Sequence, residues 1–273
     1  MSCFKIAGLF LILLLSASSC VKEPHEQTAI ADNPFKTGTQ LSYTVNETSF
    51  SKGMSKGDFK SVGGMDINTE KREVNMYFDK STNMYFIKTI RLDGVKSKSK
   101  DFVEPEWKEI VETNSSTIMY NERGKMISTQ TKTDKLNQNL AFLVTPYTER
   151  ASQMKEMLKD FSVKSKSLLV EVQSDTNVVK ITRIFEQGNE IDENIVGCTA
   201  ISYLNVMYGV PVVSEFYDKS GKLTSKVTML YALVNNIPVV AYEEAISYSV
   251  DYTGETIENK VITHYENINV TNF

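Results

Sequence analysis

The sequence predicts a mainly β fold of the α+β class, with one helix. Three observations support this prediction: aromatic and β-branched runs separated by a recurring turn motif, period-two alternation near the C-terminus, and one amphipathic helical segment. Alternation is typical of a strand with two unlike faces, whereas a helix repeats its face every three to four residues. One large antiparallel sheet and two-sheet β-sandwich domains both fit these observations.

The turn motif recurs three times, at residues 78–84, 120–126 and 217–223. Asp and Asn close turns through their side chains and Gly supplies a positive φ, so each copy predicts a hairpin tip. The last two copies also match beyond the turn, where residues 125–128 read KMIS and residues 222–225 read KLTS. This match indicates either an internal repeat of about a hundred residues or turn chemistry common to many hairpins, which we favour.

One helix is predicted over residues 146–160. Thr145 can cap it, and Pro146 suits its first position. An apolar stripe recurs at spacings of three and four residues: Ala151, Met154, Leu158 and Phe161. The helix divides the β-rich domain, residues 41–273, into two portions, which would be similar halves if the repeat is real.

The C-terminal strands show the clearest alternation. One set of alternating residues is Ile246, Tyr248, Val250 and Tyr252, and the other is Ala245, Ser247, Ser249 and Asp251. In the last strand, five residues are predicted to share one side: Ile262, His264, Glu266, Ile268 and Val270. The alternation predicts a sheet with one buried face and one wetter face.

The first nineteen residues form a predicted signal peptide. Lys5 precedes an apolar run, residues 6–15, and small residues follow as far as Ser19. A transmembrane helix needs roughly 20 apolar residues, so this run is too short to span a bilayer. Residues 17–20, Ala-Ser-Ser-Cys, resemble the lipobox of bacterial lipoproteins in a relaxed form of the Bacteroidetes type.

The lipobox resemblance implies cleavage before Cys20 and acylation of this residue, for example with palmitate. Two or three acyl chains anchor a protein stably where one chain binds only marginally. Residues 20–40 are polar and contain two prolines, which predicts a flexible tether. Residues 20–23 are similar to a surface-export signal of lipoproteins, or they simply begin the tether. The predicted location is the outer membrane, on its periplasmic or its cell-surface side.

Composition and motifs exclude several kinds of function. The net charge of −4 gives no reason to expect nucleic acid as a partner, because phosphate binding needs clustered Lys and Arg. The sequence contains no phosphate loop, since the glycine-rich residues 53–64 lack a GK[ST] ending. It therefore predicts a non-enzymatic protein with no catalytic residues and no cofactor.

Few side chains are candidates for chemistry. His25 lies in the predicted tether, which leaves only His264 in the domain and excludes a metal site built from histidines. Cys198 and His264 could form a nucleophile–base pair, but a small buried thiol is the interpretation we favour for Cys198. Glu243 and Glu244 are neighbours on a predicted strand, so we expect them to face opposite sides.

The C-terminal part contains a second resemblance. Residues 217–223 read YDKSGKL, residues 235–238 read NNIP, and a final strand ends at Asn269-Val270. These motifs are similar to the C-terminal part of LolA/LolB-like outer-membrane lipoprotein-sorting proteins. The resemblance implies a large curved antiparallel sheet, or half-barrel, with helix 146–160 covering the concave face and a cavity for acyl chains.

Two functions are consistent with these observations. The first is a membrane-anchored, non-enzymatic binding module for lipid or another hydrophobic ligand. The second is a structural or adhesion-type surface lipoprotein that works through contacts with a protein partner. An open apolar concavity would favour the first, and two tightly packed sheets would favour the second.

Overall fold

The fold is taken from a computed structural model that describes residues 35–54, 66–79, 81–82, 84–93, 96–97, 107–132, 143–164, 168–172, 177–186, 195–250, 254 and 256–272. Over these residues the chain forms one 14-stranded antiparallel sheet and one α-helix. The predicted curved antiparallel sheet with a covering helix is confirmed. The alternative of two-sheet sandwich domains is not the arrangement that the chain adopts.

The elements follow one another in a simple order. The strands before the helix are β1 (Thr39–Met54), β2 (Asp66–Asp79), β3 (Met84–Arg91), β4 (Lys96–Ser97), β5 (Trp107–Thr113), β6 (Ser116–Asn121) and β7 (Met126–Thr131). The helix is α1 (Tyr147–Lys164). The strands after it are β8 (Leu168–Val172), β9 (Val178–Ile184), β10 (Thr199–Asn205), β11 (Val210–Tyr217), β12 (Leu223–Val234), β13 (Ile237–Val250) and β14 (Thr256–Asn272).

The sheet consists of two meanders that meet at its centre. Its strand order is β7-β6-β5-β3-β2-β1-β14-β13-β12-β11-β10-β9-β8, with the short β4 paired to β2. β1 pairs with β14 along its whole length, from Thr39 opposite Asn272 to Met54 opposite Thr256. Because β7 and β8 are at opposite ends of this order, the connection that contains α1 crosses the sheet from one edge to the other.

The three predicted hairpin tips are confirmed. Asp79 accepts a hydrogen bond from the backbone N–H two residues further on, at 2.9 Å. Asn121 and Asp218 each accept hydrogen bonds from the N–H groups two and four residues further on, at 2.8–3.0 Å. Gly124 and Gly221 complete these two turns with φ values of 70° and 79°, which only glycine adopts without strain.

The predicted helix is confirmed, with different ends. It begins one residue after the predicted start and continues to Lys164 instead of ending at residue 160. The backbone N–H of Tyr147 donates to the carbonyl of Asn236, in the β12–β13 turn, at 2.8 Å. The first turn of α1 is therefore fixed to the sheet, which satisfies a backbone donor that a helix leaves unpaired at its start.

The register of the strands defines two faces, since directly paired antiparallel residues project to the same side. We call one of them the covered face, because Leu143 and Val144, just before α1, pack on it. They complete the closed cluster, whose buried members are Leu41, Val45, Val74, Phe78, Tyr85, Ile87, Val144, Ile237, Val239 and Val270. This cluster is the main core of the described protein.

The opposite side of the sheet is the outer face. Over the first meander it carries a smaller buried cluster: Phe86, Val111, Ile118 and Tyr120. Phe35 packs against this cluster. Phe35 lies within residues 20–40, the predicted tether, so the last part of that segment is in contact with the sheet.

A β-bulge in β14 changes the face of its last residues. The β1–β14 register slips by one residue around Asn267, which has a positive φ of 53°. Ile262 and His264 consequently face outward, whereas Ile268 and Val270 belong to the closed cluster. The prediction that these residues share one side is wrong, because an extra residue in the strand inverts the alternation beyond it.

Candidate functional site

Four rows of side chains cross the covered face next to the closed cluster, each following the register from strand to strand. The first row is Tyr265, Val45, Arg72 and Arg91. The second is Met229, Glu243, Thr263, Glu47 and Glu70. The third is Ser202, Ser214, Val227, Ala245, Val261 and Ser49. The fourth is Ala200, Phe216, Ser225, Ser247, Asn259 and Ser51.

The first two rows form a polar belt, by which we mean Tyr265, Arg72, Glu243, Thr263, Glu47 and Glu70. Its central contact joins Arg72 Nη2 to Glu47 Oε2 at 2.5 Å, with the arginine side chain 12% exposed. Burial raises the pKa of Glu70, although the charges of Arg72 and Arg91 partly oppose this effect. The belt therefore brings acidic groups into a half-buried place, where each charge needs a partner.

Glu243 is the most buried acid of the belt, at 9% exposure. One of its oxygens accepts a hydrogen bond from the Tyr265 hydroxyl, while Oε2 has no hydrogen-bond partner among the described residues. Burial, together with the negative charge of Glu47, raises its pKa to about 7. A buried carboxylate oxygen without a partner is unusual, and among the described residues the only other one is Glu70 Oε1, in the same belt.

Tyrosines surround Glu243 on the covered face. The rings of Tyr43 and Tyr265 meet edge to face, with centroids 5.4 Å apart. The Tyr231 hydroxyl donates to Met229 Sδ at 3.5 Å, and Met229 is paired with Glu243 across β12 and β13. Burial raises the pKa of all three tyrosines, so they are neutral hydrogen-bonding groups and not charges.

We define the small-residue tract as the third row together with four residues of the fourth row: Ser225, Ser247, Asn259 and Ser51. The third row crosses six strands without a side chain larger than valine, and its residues are half-buried. At the usual strand separation it is about 24 Å long. In the fourth row, Ser51 Oγ donates to Asn259 Oδ1 at 2.7 Å. Small side chains on a covered sheet leave volume between the sheet and its cover.

The start of α1 is positioned by close contacts. Buried Arg150 donates to the backbone carbonyls of Thr145 at 2.9 Å and Leu143 at 2.8 Å. Burial lowers the pKa of Arg150 to about 10, and the nearby Tyr231 partly opposes this effect. Gly209 in the β10–β11 turn has no room for a side chain, since a Cβ there would lie 2.6 Å from the Arg150 carbonyl carbon.

A second buried acid on the covered face provides a comparison for Glu243. Glu112 is 4% exposed and forms a short ion pair with the Lys132 ammonium. The Tyr85 hydroxyl lies 3.5 Å from Glu112 Oε1 and 2.5 Å from Lys132 Nζ. Glu112 therefore has a tyrosine and a lysine as partners within the chain, whereas Glu243 has the tyrosine alone among the described residues.

The residues singled out in the sequence are not brought together. Cys20 and His25 lie outside the described residues. Cys198 is buried beside Phe185 and Phe216, as expected for a small apolar side chain. His264 is exposed on the outer face, with its ring 5.2 Å from that of Tyr242. β10, which follows Cys198, and β14, which contains His264, are four strand positions apart, or about 19 Å.

Glu243 and Glu244 face opposite sides, as predicted. Glu244 is on the outer face, where it pairs with Lys260 at 2.7 Å. Glu243 is the buried member of this pair. The sequence contained a signal for it, because on a strand with two unlike faces one of two adjacent acids must point inward.

Neither a metal-binding cluster nor a membrane-spanning helix occurs among the described residues. No group of three or more His, Cys, Asp or Glu side chains in this part of the chain is placed to hold a metal ion. Within the same residues, no helix is both long enough and apolar enough to cross a bilayer.

Comparisons with known proteins give distant similarities in structure only. No family model matches the chain, and no curated protein matches its sequence. A DUF1329 family protein from Desulfovibrio piger is similar, with 10% identity, 86% of each chain covered and a TM-score of 0.41. A domain assigned to outer membrane lipoprotein sorting, from Vibrio parahaemolyticus, has 12% identity, 86% of each chain covered and a TM-score of 0.40.

A LolA superfamily protein from Nitrosomonas europaea is also similar, with 11% identity, 84% of this chain and 85% of that chain covered, and a TM-score of 0.36. The C-terminal motifs resemble the same superfamily. Similarities at this level describe related arrangements of strands and carry no functional conclusion.

Proposed function

We propose that the protein is a membrane-anchored, non-enzymatic binding module that holds a ligand with a hydrocarbon chain over the small-residue tract. The third row is the observation that carries this proposal, since six strands present only Ser, Ala and Val there. Each side chain of this row is only half-buried, so part of its surface stays accessible above the sheet. A concave surface of this kind, next to a few polar groups, is typical of ligand sites.

The chemistry around the tract fits a ligand with two unlike parts. Val227, Ala245 and Val261 offer apolar contact at the middle of the third row, and each methylene buried there contributes about 0.8 kcal/mol. The polar belt lies about 7 Å from the third row, because the two are separated by two residues along each strand. A chain lying on the tract can therefore place its polar end against the belt.

In this proposal Cys20 carries the lipid, and the residues that follow it connect the lipid to the sheet. Two or three acyl chains on Cys20 would hold the protein at a bilayer without a transmembrane helix. The outer membrane is the proposed location, on its periplasmic or its cell-surface side. Hydrophobic ligands are available at either surface, so the anchor would keep the module close to its supply.

The test is to fill the tract with one large side chain. Ala245→Trp adds an indole at the centre of the third row, and Leu230→Trp adds the same group to the outer face, where Leu230 is 59% exposed. Mature protein of each variant is titrated with a fluorescent acyl probe, and lipid retained after purification is identified by native mass spectrometry. We expect Ala245→Trp to weaken probe binding at least tenfold and Leu230→Trp to leave it unchanged.

Two outcomes would contradict the proposal. One is an Ala245→Trp protein that binds the probe as tightly as the unmodified protein while both unfold at the same temperature. The other is an unmodified protein that retains no lipid and binds no probe. The second outcome would favour a surface module that works through contacts with a protein partner.

A further inference from the structure

We propose that Glu243 binds the ammonium group of an amphipathic ligand whose chain lies on the small-residue tract. This inference rests on the proposed function and adds the chemistry of the ligand's polar end. The ligand class is a single- or double-chain lipid with a primary amine. Its ammonium group would donate to Glu243 Oε2, and its chain would extend from the polar belt across Ala245.

The orphaned oxygen is the first reason. Glu243 is buried at 9% exposure, and Oε2 has no hydrogen-bond partner among the described residues. A buried acceptor without a donor is costly, and a carboxylate more so than a neutral group. An ammonium group has three N–H donors and a positive charge, so it can satisfy the oxygen and compensate its charge together.

The second reason is the contrast with Glu112 on the same face. Both acids are buried and both are bonded to a tyrosine hydroxyl, from Tyr85 and Tyr265 respectively. Glu112 is completed by the ammonium group of Lys132, which belongs to the chain itself. No described lysine forms an ion pair with Glu243, so the ligand would supply the group that Lys132 supplies at the other site.

The charge of the first two rows is the third reason. They contain three acids, Glu243, Glu47 and Glu70, and two guanidinium groups, Arg72 and Arg91. Arg72 pairs with Glu47, and the Arg91 guanidinium lies 5.1 Å from the centre of the Trp107 ring. With all groups ionised these rows have one excess negative charge, which one cation would balance.

The position of Glu243 connects the belt to the tract. Ala245, at the centre of the third row, follows it by two residues on the same face of β13, at a distance of about 7 Å. Met229 lies beside Glu243 across the β12–β13 pair. Met229 is 2% exposed, but a methionine side chain is flexible and tolerates rearrangement, so we expect it to shift when a polar group approaches Oε2.

The experiment compares ligands that differ only in their polar end. Decylamine and decanol each compete with a fluorescent acyl probe for the mature protein at pH 8.5. Three proteins are titrated: the unmodified chain, Glu243→Gln, and Glu244→Gln as the matched control on the outer face. We expect the unmodified chain and Glu244→Gln to bind decylamine about tenfold more tightly than decanol. In Glu243→Gln this preference should disappear, with decanol binding unchanged.

The outcomes separate this inference from the proposed function. Equal binding of decylamine and decanol by the unmodified chain overturns the ammonium site and leaves a hydrocarbon site intact. A preference for decylamine that survives in Glu243→Gln also overturns it, since another group must then hold the amine. Failure of both compounds and of the probe to bind contradicts the proposed function itself. Thermal unfolding of Glu243→Gln verifies that it is folded.

Discussion

The closed cluster and the small-residue tract lie on the same face and are crossed by the same central strands, yet they differ in side-chain volume. In β1, Leu41 and Val45 are 3% and 4% exposed under Leu143 and Val144, whereas Ser49, four residues further on, is half-buried. In β13, Val239 belongs to the closed cluster and Ala245 to the tract. The pairing of β1 with β2 continues through both regions without a change of register.

This difference separates stability from binding capacity within one sheet. Each large apolar side chain that is fully buried in the closed cluster contributes about 1.5–3 kcal/mol to stability. The side chains of the tract contribute much less, because they are smaller and only partly buried. The side chains of the tract are therefore packed less closely than those of the closed cluster. A ligand bound there could supply the apolar contacts that the chain itself does not make.

The largest expected effect tests the packing of the closed cluster directly. Phe78→Ala removes a side chain that is 1% exposed, and we expect it to lower the free energy of unfolding by about 3–5 kcal/mol. Val261→Ala in the tract should cost about 1 kcal/mol or less, since Val261 is half-buried. Urea unfolding curves, fitted with one common m-value, give the loss in free energy of unfolding for each variant. Equal losses would mean that the two regions are packed alike.

A second prediction concerns the contact that holds the start of α1 over the sheet. Gly209→Ala places a Cβ at 2.6–2.8 Å from atoms of Arg150 and Ala151, at a residue with φ of 63°. We expect a loss of about 2–4 kcal/mol from the clash and the left-handed backbone together. Gly221→Ala is the control, because its φ is 79° and nothing lies within 4 Å of its Cβ position.

For Gly221→Ala only the backbone cost applies, about 1 kcal/mol. Chemical unfolding gives both values, and hydrogen exchange of the first turn of α1 shows whether the helix loosens locally. If both substitutions cost the same, the Gly209–Arg150 contact does not contribute to closing the covered face.

The third prediction concerns the dependence of stability on pH. The pKa of Glu243 is raised by burial from an ordinary value of 4.5 to about 7 in the folded chain. The folded state therefore binds this proton more tightly than the unfolded state does. The contribution of Glu243 to the free energy of unfolding is complete below pH 4.5 and is lost as pH rises through 7. Glu243→Gln should therefore be more stable than the unmodified chain at pH 8.5 and equal to it at pH 4.5.

The expected gain at pH 8.5 is about 3 kcal/mol. The charged or titratable groups facing Glu243 are Tyr265, Tyr43, Glu47 and Tyr231, and all four are kept in the variant, so the difference between the two proteins isolates Glu243. Thermal unfolding at several pH values measures it. A difference that does not vary with pH would show that Glu243 has the same pKa in the folded and the unfolded chain.

Local chemistry made several elements predictable. The three turns were predictable because Asp79, Asn121 and Asp218 bond to the backbone within four residues. The helix was predictable from its apolar spacing, but its continuation to Lys164 was not, because the predicted stripe ended near residue 160. Opposite faces for Glu243 and Glu244 followed from strand geometry alone.

Features that depend on distant pairing were not predictable. The bulge at Asn267 is visible only in the register of β14 against β1, more than 200 residues away in the chain. In β13 the larger apolar residues, Ile246 and Tyr248, lie on the outer face, and the small residues Ala245 and Ser247 lie on the covered face. Alternation alone cannot decide which of two faces a helix will cover.

The central position of β1 has a mechanical consequence. β1 is held by β14 on one side and by β2 on the other, over residues 39–54 and 39–51. A pull transmitted through the residues before β1 would act along the strand, so both ladders of hydrogen bonds would have to shear together before the sheet opened. An edge strand under the same load would be held by one ladder only. A domain tethered at this end is therefore attached at the place where its sheet best resists force.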